Sequence, residues 1–313
     1  MGVKVKRRVI QIAGSTQLVS LPRKWAIKQG IAKGDEIDVI EDGDKIVIST
    51  NAKEESKRID IDLTKIKKSQ GDFIWFFLPL LHKAGYDEIE ILLDTPESMQ
   101  RIQKRIESML LGYEIIEQDD RKCLIKNVSG PLPSEFDNIL RRTFLVTIHM
   151  AKKGLEILNT GDKKNLKELL VLEQTNNKLT NFCQRIINSK QSDKGRETFY
   201  YMIIWLLECI GDDYKNLVEY IVNHVDTKFQ ASKKFLELFG EINKLFEMYY
   251  ELFYNFSFEK IVEIRAHRKE SKANLYAFIK ASKSKDEVIL ATFLLDINQR
   301  IDDFLGSTAG LHY

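Results

Sequence analysis

Val19-Ser20-Leu21-Pro22-Arg23-Lys24-Trp25 is the stretch on which the reading of this chain turns. A short apolar alternation, Leu18 to Leu21, runs into a proline. Proline removes a backbone donor and fixes φ at about −65°, so a strand stops there and a helical turn can start. Pro22 to Gln29 therefore reads as one or two helical turns, with Gly30 just past their end. Upstream, Val9-Ile10-Gln11-Ile12 is a second alternation, separated from the first by the turn-formers Ala13-Gly14-Ser15-Thr16. Downstream, Gly34-Asp35 precedes the strand-like Glu36 to Ile40, and Gly43-Asp44 turns the chain into Lys45-Ile46-Val47-Ile48. Two strands, a short helix and two strands in about fifty residues are too little to bury a core alone. A dimer is the expected remedy.

Charge singles out the same segment. Residues 1–34 hold eight Lys or Arg (Lys4, Lys6, Arg7, Arg8, Arg23, Lys24, Lys28, Lys33) and no acid, although the whole chain carries a net charge of only +2. Such a local field attracts polyanions, whereas near-neutrality overall names no partner.

The order Gly14-Ser15, Val19 to Trp25, Gly30-Ile31, Lys33-Gly34-Asp35 and Ile46-Val47-Ile48 resembles the AbrB/MazE/SpoVT swapped-hairpin DNA-binding family. The resemblance spans residues 1–50. It implies an interleaved β-barrel homodimer that gathers basic side chains of both protomers on one face toward double-stranded DNA. Lys4, Lys6, Arg7, Arg8, Arg23 and Lys24 are the candidate DNA-binding residues. Arginine suits base-edge contact, because its planar fork can pair with guanine. Charge alone would equally suit a plain solvated face.

Residues 51–131 read as an α/β connector. Ile59 to Leu63 and Ile89 to Leu93 are strand-like, as are Tyr113 to Glu117 and Cys123 to Asn127. Ile74 to Ala84 and Pro96 to Leu111 have helical length and spacing. The aromatic run Phe73-Ile74-Trp75-Phe76-Phe77 is expected to pack in a core or between domains, with a partner surface as the other reading.

Residues 132–313 contain Pro133 and no later proline, and apolar residues recur every three or four positions, so the region is expected to be helical. A self-comparison at an offset of about 90 residues sets Leu145 on Phe235, Val171-Leu172-Glu173 on Ile261-Val262-Glu263, and Glu208 to Asp213 on Asn298 to Asp303. Two three-helix bundles in tandem are expected. The setting Leu207-Glu208-Cys209-Ile210-Gly211-Asp212 resembles the acidic signature of the PhoU family, and Glu173, Asn177 and Arg185 fit that family's middle helix. That resemblance implies metal binding on the bundle and regulation of phosphate uptake, with a phosphate transporter or sensor kinase as partner.

Glu208 and Asp212 stand one turn apart on a helix, which suits a divalent metal or iron, and equally suits a wet face opposite Leu207, Ile210, Tyr214, Leu217 and Ile221. In the second repeat the aligned pair is Asn298 and Asp302, which weakens any site there. Enzyme readings find no footing: the five histidines are scattered, and HExxH, GxSxG, Walker and GxGxxG patterns are absent. The three cysteines lack metal spacing, and neither a signal peptide nor an apolar run long enough to span a bilayer is found, so a cytoplasmic protein is expected. The fold class expected is thus multidomain: a small β-rich swapped-hairpin head, an α/β connector, and tandem three-helix bundles. Two functions follow, a DNA-binding regulator of phosphate uptake or an adaptor that uses the basic head only to dimerise.

Overall fold

The computed structural model describes residues 5–12, 14, 16–42, 45–49, 56–66, 70–93, 95–129, 133–161, 166–189, 195–226 and 229–312. The chain divides into two compact units, residues 1–56 and 57–313.

In the first unit, β1 (Val9–Ile12) pairs antiparallel with β2 (Thr16–Val19), and β3 (Asp38–Asp42) pairs with β4 (Lys45–Ser49). Between the hairpins lies α1 (Arg23–Lys28), for which Pro22 takes the capping position in extended conformation. Gly30 and Gly34, at φ 67° and 99°, make the turns that return the chain to β3. The second strand ends two residues earlier than its apolar pattern suggests, because Leu21-Pro22 is already committed to the helix entrance. Among the described residues of this unit none is buried. Val9, Ile10, Val39, Ile40 and Ile46 are each more than half exposed.

The second unit starts with a four-stranded mixed sheet in the order β5-β6-β8-β7: β5 (Arg58–Asp62), β6 (Glu88–Leu92), β7 (Tyr113–Gln118) and β8 (Lys122–Asn127). β5 and β6 are parallel, which requires the crossover through α2 (Gln70–Lys83), and the remaining pairs are antiparallel. One face, with Ile89, Ile91, Cys123 and Ile125, packs into a core shared with Ile74 and Leu78 of α2 and with Ile102 and Ile106 of α3 (Pro96–Met109). The other face is a charge ladder in which Arg58 and Lys122 bond Glu90 at 2.5 and 2.9 Å and Lys126 bonds Glu88 at 2.8 Å. The aromatic run splits by face. Ile74 is buried and Phe73 stacks on Phe77, whereas Trp75 and Phe76 are 48% and 69% exposed.

Six helices complete the unit: α4 (Phe136–Thr160), α5 (Leu166–Asn188), α6 (Glu197–His224), α7 (Lys233–Tyr254), α8 (Phe258–Ala281) and α9 (Lys285–Gly310). Ser232, Ser257 and Ser284 each accept the amide three residues on, closing the starts of α7, α8 and α9. The helices form two triads, and one continuous apolar core runs through both.

The repeat is real but its register is not uniform. Buried Leu140, Phe144, Thr147 and Ala151 of α4 answer to buried Phe235, Phe239, Ile242 and Phe246 of α7, a step of 95 residues. Buried Ile203, Leu207, Ile210 and Tyr214 of α6 answer to buried Leu290, Leu294, Ile297 and Ile301 of α9, a step of 87. Most of the difference arises in the connection between the second and third helices of each triad, residues 189–196 in the first and only 282–284 in the second. The single step of about 90 expected from sequence is a compromise that fits neither pair, and it placed Leu145, 48% exposed, on fully buried Phe235.

Candidate nucleic-acid interface

The basic residues of the head lie at one end of a hairpin. Val9 pairs with Val19, so Arg7 and Arg8 entering β1, and Arg23 and Lys24 following β2, leave the same end, opposite the turn at Gly14. Lys6, Arg7, Arg8, Arg23 and Lys24 are all exposed, and among the described residues none of them has an acidic partner within ion-pair distance. Lys4 lies outside the described residues. An extended entry and the start of a six-residue helix thus present these five cations without neutralisation. Exposed cations near phosphates displace condensed counterions, which gives sequence-independent affinity.

The carboxylates of the helical body have other company. Glu208 faces Lys83 of α2 at 3.3 Å, joining the connector to the bundle. Asp212 bonds Lys215 at 2.8 Å, and Lys215 also reaches Glu173 of α5 at 3.3 Å. Asp302 bonds Arg268 of α8 at 3.0 Å. Each expected metal ligand is already matched by a protein cation, and among the described residues no three His, Cys, Asp or Glu groups gather where an ion could sit. As folded, these carboxylates are held by three separate protein cations, Lys83, Lys215 and Arg268. Leu207, Ile210, Tyr214, Leu217 and Ile221 are buried, as the helical projection requires. Gly211, inside the acidic signature, has a packing role: a Cβ there would meet Asn176 Oδ1 at 3.0 Å.

Under the registers above, Lys215 answers to Asp302 and Glu173 to Arg268, so the same ion pair recurs between second and third helices with its charges exchanged. Asp212 then answers to Gln299, and Asn298…Asp302 is not the counterpart of Glu208…Asp212.

A cluster that sequence reasoning did not find binds the connector to α5. Arg185, nearly buried, donates to Asp87 Oδ1 at 2.6 Å, to the Tyr86 and His82 carbonyls at 2.6 and 3.2 Å, and to the Tyr113 hydroxyl at 3.0 Å. The Tyr113 hydroxyl itself donates to the Tyr86 carbonyl. His82 is fully buried beside them, with Nε2 on the Leu111 carbonyl at 3.0 Å, and burial pushes its pKa down to about 3. Tyr113, at the start of an alternating strand, was the available sequence signal, but nothing local says that an arginine 72 residues on closes over it. Burial holds the three thiols in their protonated form. Burial raises Cys123 and Cys183 to about 12 and Cys209 to about 11.

Residues 10–58 match the model of a family described as antidote-toxin recognition MazE, bacterial antitoxin. The head is similar to that family. The match ends at Arg58, the first residue of β5, and leaves the connector and the helical body outside it. No curated protein and no solved structure matches the chain. Among the described residues no helix is long and apolar enough to cross a membrane.

Proposed function

We propose that this chain is a DNA-binding regulator that acts as a homodimer, its head gripping duplex DNA and its helical body receiving the signal. One observation carries the reading: five unneutralised cations leave one end of a hairpin in a unit that buries no described residue. A unit with no interior of its own is stabilised by a second copy, and two copies double the cationic end. The resemblance to the PhoU family supports phosphate status as the signal and phosphate uptake as the regulated process. The connector, tied to the bundle through Arg185, is the means by which two sites in one chain would couple.

Duplex binding as a function of salt tests this. The full chain is expected to bind random-sequence duplex at low salt, with affinity falling steeply as salt rises. Arg7→Ala with Arg8→Ala and Arg23→Ala is expected to weaken binding across all sequences and flatten the salt slope by about one for each phosphate left without its cation. Undetectable binding at low salt, or a triple variant that binds like the parent, leaves the second reading: an adaptor for a phosphate transporter or sensor kinase, in which the head only dimerises. Exposed Phe76 and Val262 on the second unit favour that one.

A further inference from the structure

The two triads treat their middle helices differently. α5 is covered on its outer side. There Lys178, Asn181, Arg185 and Asn188 donate to the carbonyls of Glu107, Met109, His82 and Lys83. Those carbonyls belong to the last turns of α3 and α2, where a helix leaves its acceptors without partners of its own. Cations and amides of the middle helix therefore finish two docked helices, and Arg185 adds the Asp87 carboxylate.

At the step of 95 residues the same four positions fall on Ala273, Tyr276, Lys280 and Lys283 of the second triad, and all four are exposed. Val262 and Phe258, at 68% and 56% exposure, and exposed Arg265 and Lys269 share that side of α8. By helical spacing no acid interrupts this stripe; Glu259, Glu263 and Glu270 line one edge of it.

We propose that the outer face of α8 is a docking surface for an acidic amphipathic helix of a partner protein. Its apolar seam lies along Val262, Ala273 and Tyr276, and its carboxylates or last carbonyls meet Arg265, Lys269 and Lys280. Charge complementarity sets the partner's sign. The small side chains of Ala266, Ala273 and Ala277 let a helix approach closely, and the exposed Val262 and Phe258 offer area that its seam removes from water. The exposed Val262 and Tyr276 set a protein helix ahead of nucleic acid, because a phosphate backbone offers no apolar side chain to cover them.

The test uses the full chain in its native cells with a photo-crosslinking residue in place of Ala273. Adducts are identified by mass spectrometry. The expected adduct is a segment of a different protein that has apolar residues at helical spacing and a net negative charge. Arg265→Glu with Lys269→Glu and Lys280→Glu is expected to cut its yield at least tenfold, while duplex binding and the melting temperature stay at parental values. Should the triple variant melt early, Lys280→Glu alone changes a single exposed side chain and is expected to lower the yield severalfold. An adduct on nucleic acid, on this chain itself or on a basic segment overturns the proposal, as does the absence of any adduct or a yield indifferent to charge reversal.

Discussion

Arg185 and His82 show how much of this protein's integrity rests on single buried polar groups. Arg185→Ala would remove the one charged donor shared by the Asp87 carboxylate and the Tyr86 and His82 carbonyls. Lost charge-assisted bonds of this kind cost on the order of 3 kcal/mol, here moderated by the partial exposure of Asp87. Chemical denaturation of the parent and of Arg185→Ala measures it. Arg185→Lys is expected to recover little, because one ammonium cannot reach the separate acceptors that a planar fork spans. His82 makes a different forecast. Its imidazole is held neutral by burial, with the positive charges of Arg185 and Lys83 adding to the effect. The folded state therefore binds fewer protons than the unfolded one between its pKa of about 3 and the ordinary value of 6.5. Stability contributed by the neutral ring is present above that window and lost as pH falls through it, by up to about 1.4 kcal/mol per pH unit. Urea titrations at successive pH values are expected to show that slope in the parent. His82→Gln should flatten it. Neither residue announces itself in the sequence, since their meaning depends on a packing between segments 103 residues apart.

At the scale of elements, local chemistry was largely legible and register was not. Pro22 placed α1, Pro96 at the start of its helix placed α3, and the alternation of Ile89 and Ile91 placed the inward face of β6. The sheet order β5-β6-β8-β7 was not readable, because alternation says which face is buried and not which neighbour is paired. The helical repeat gives the sharper lesson. Its existence followed from periodicity, but periodicity near seven lets several offsets align equally apolar positions, and only burial separates steps of 95 and 87 from a mean between them. The same holds for Gly211, which sits in a run read for its carboxylates. It lets α6 approach α5, where the Asn176 amide already donates to Thr147 Oγ1 at 2.7 Å and so cannot swing aside freely. Gly211→Ala gains up to about 1 kcal/mol of helix propensity and loses about 1–3 kcal/mol to overpacking. A lower melting temperature is expected, with partial recovery when Asn176→Ala is added.

For the whole molecule the decisive fact is an asymmetry between units. The second unit has an apolar core through six helices and another beneath its sheet, whereas the described head has no buried residue and shows Val39 and Ile46 at 58% and 66% exposure. An ordinary surface tolerates Ile46→Asp within about 0.5 kcal/mol. A surface that a second copy covers does not. Ile46→Asp with Val39→Asp is therefore expected to shift the full chain from dimer to monomer in analytical ultracentrifugation and to abolish duplex binding, while the helical unit keeps its melting transition. A variant that remains a dimer of parental affinity for DNA would show that these apolar strands cover nothing.

The sequence by itself determined the basic character of the head, its strand–strand–helix–strand–strand order, and the mixed sheet and helices that follow it. Each of these rests on spacing, charge or turn chemistry within a few residues. Only the tertiary structure decided that Glu208, Asp212 and Asp302 stand in ion pairs, that Arg185 ties the connector to the bundle, and that, among the described residues, α8 exposes the positions that answer to the covered face of α5. Those outcomes depend on which distant side chains meet, and a one-dimensional pattern of apolar and charged positions is the same whether a carboxylate faces water, a metal or a lysine from another helix.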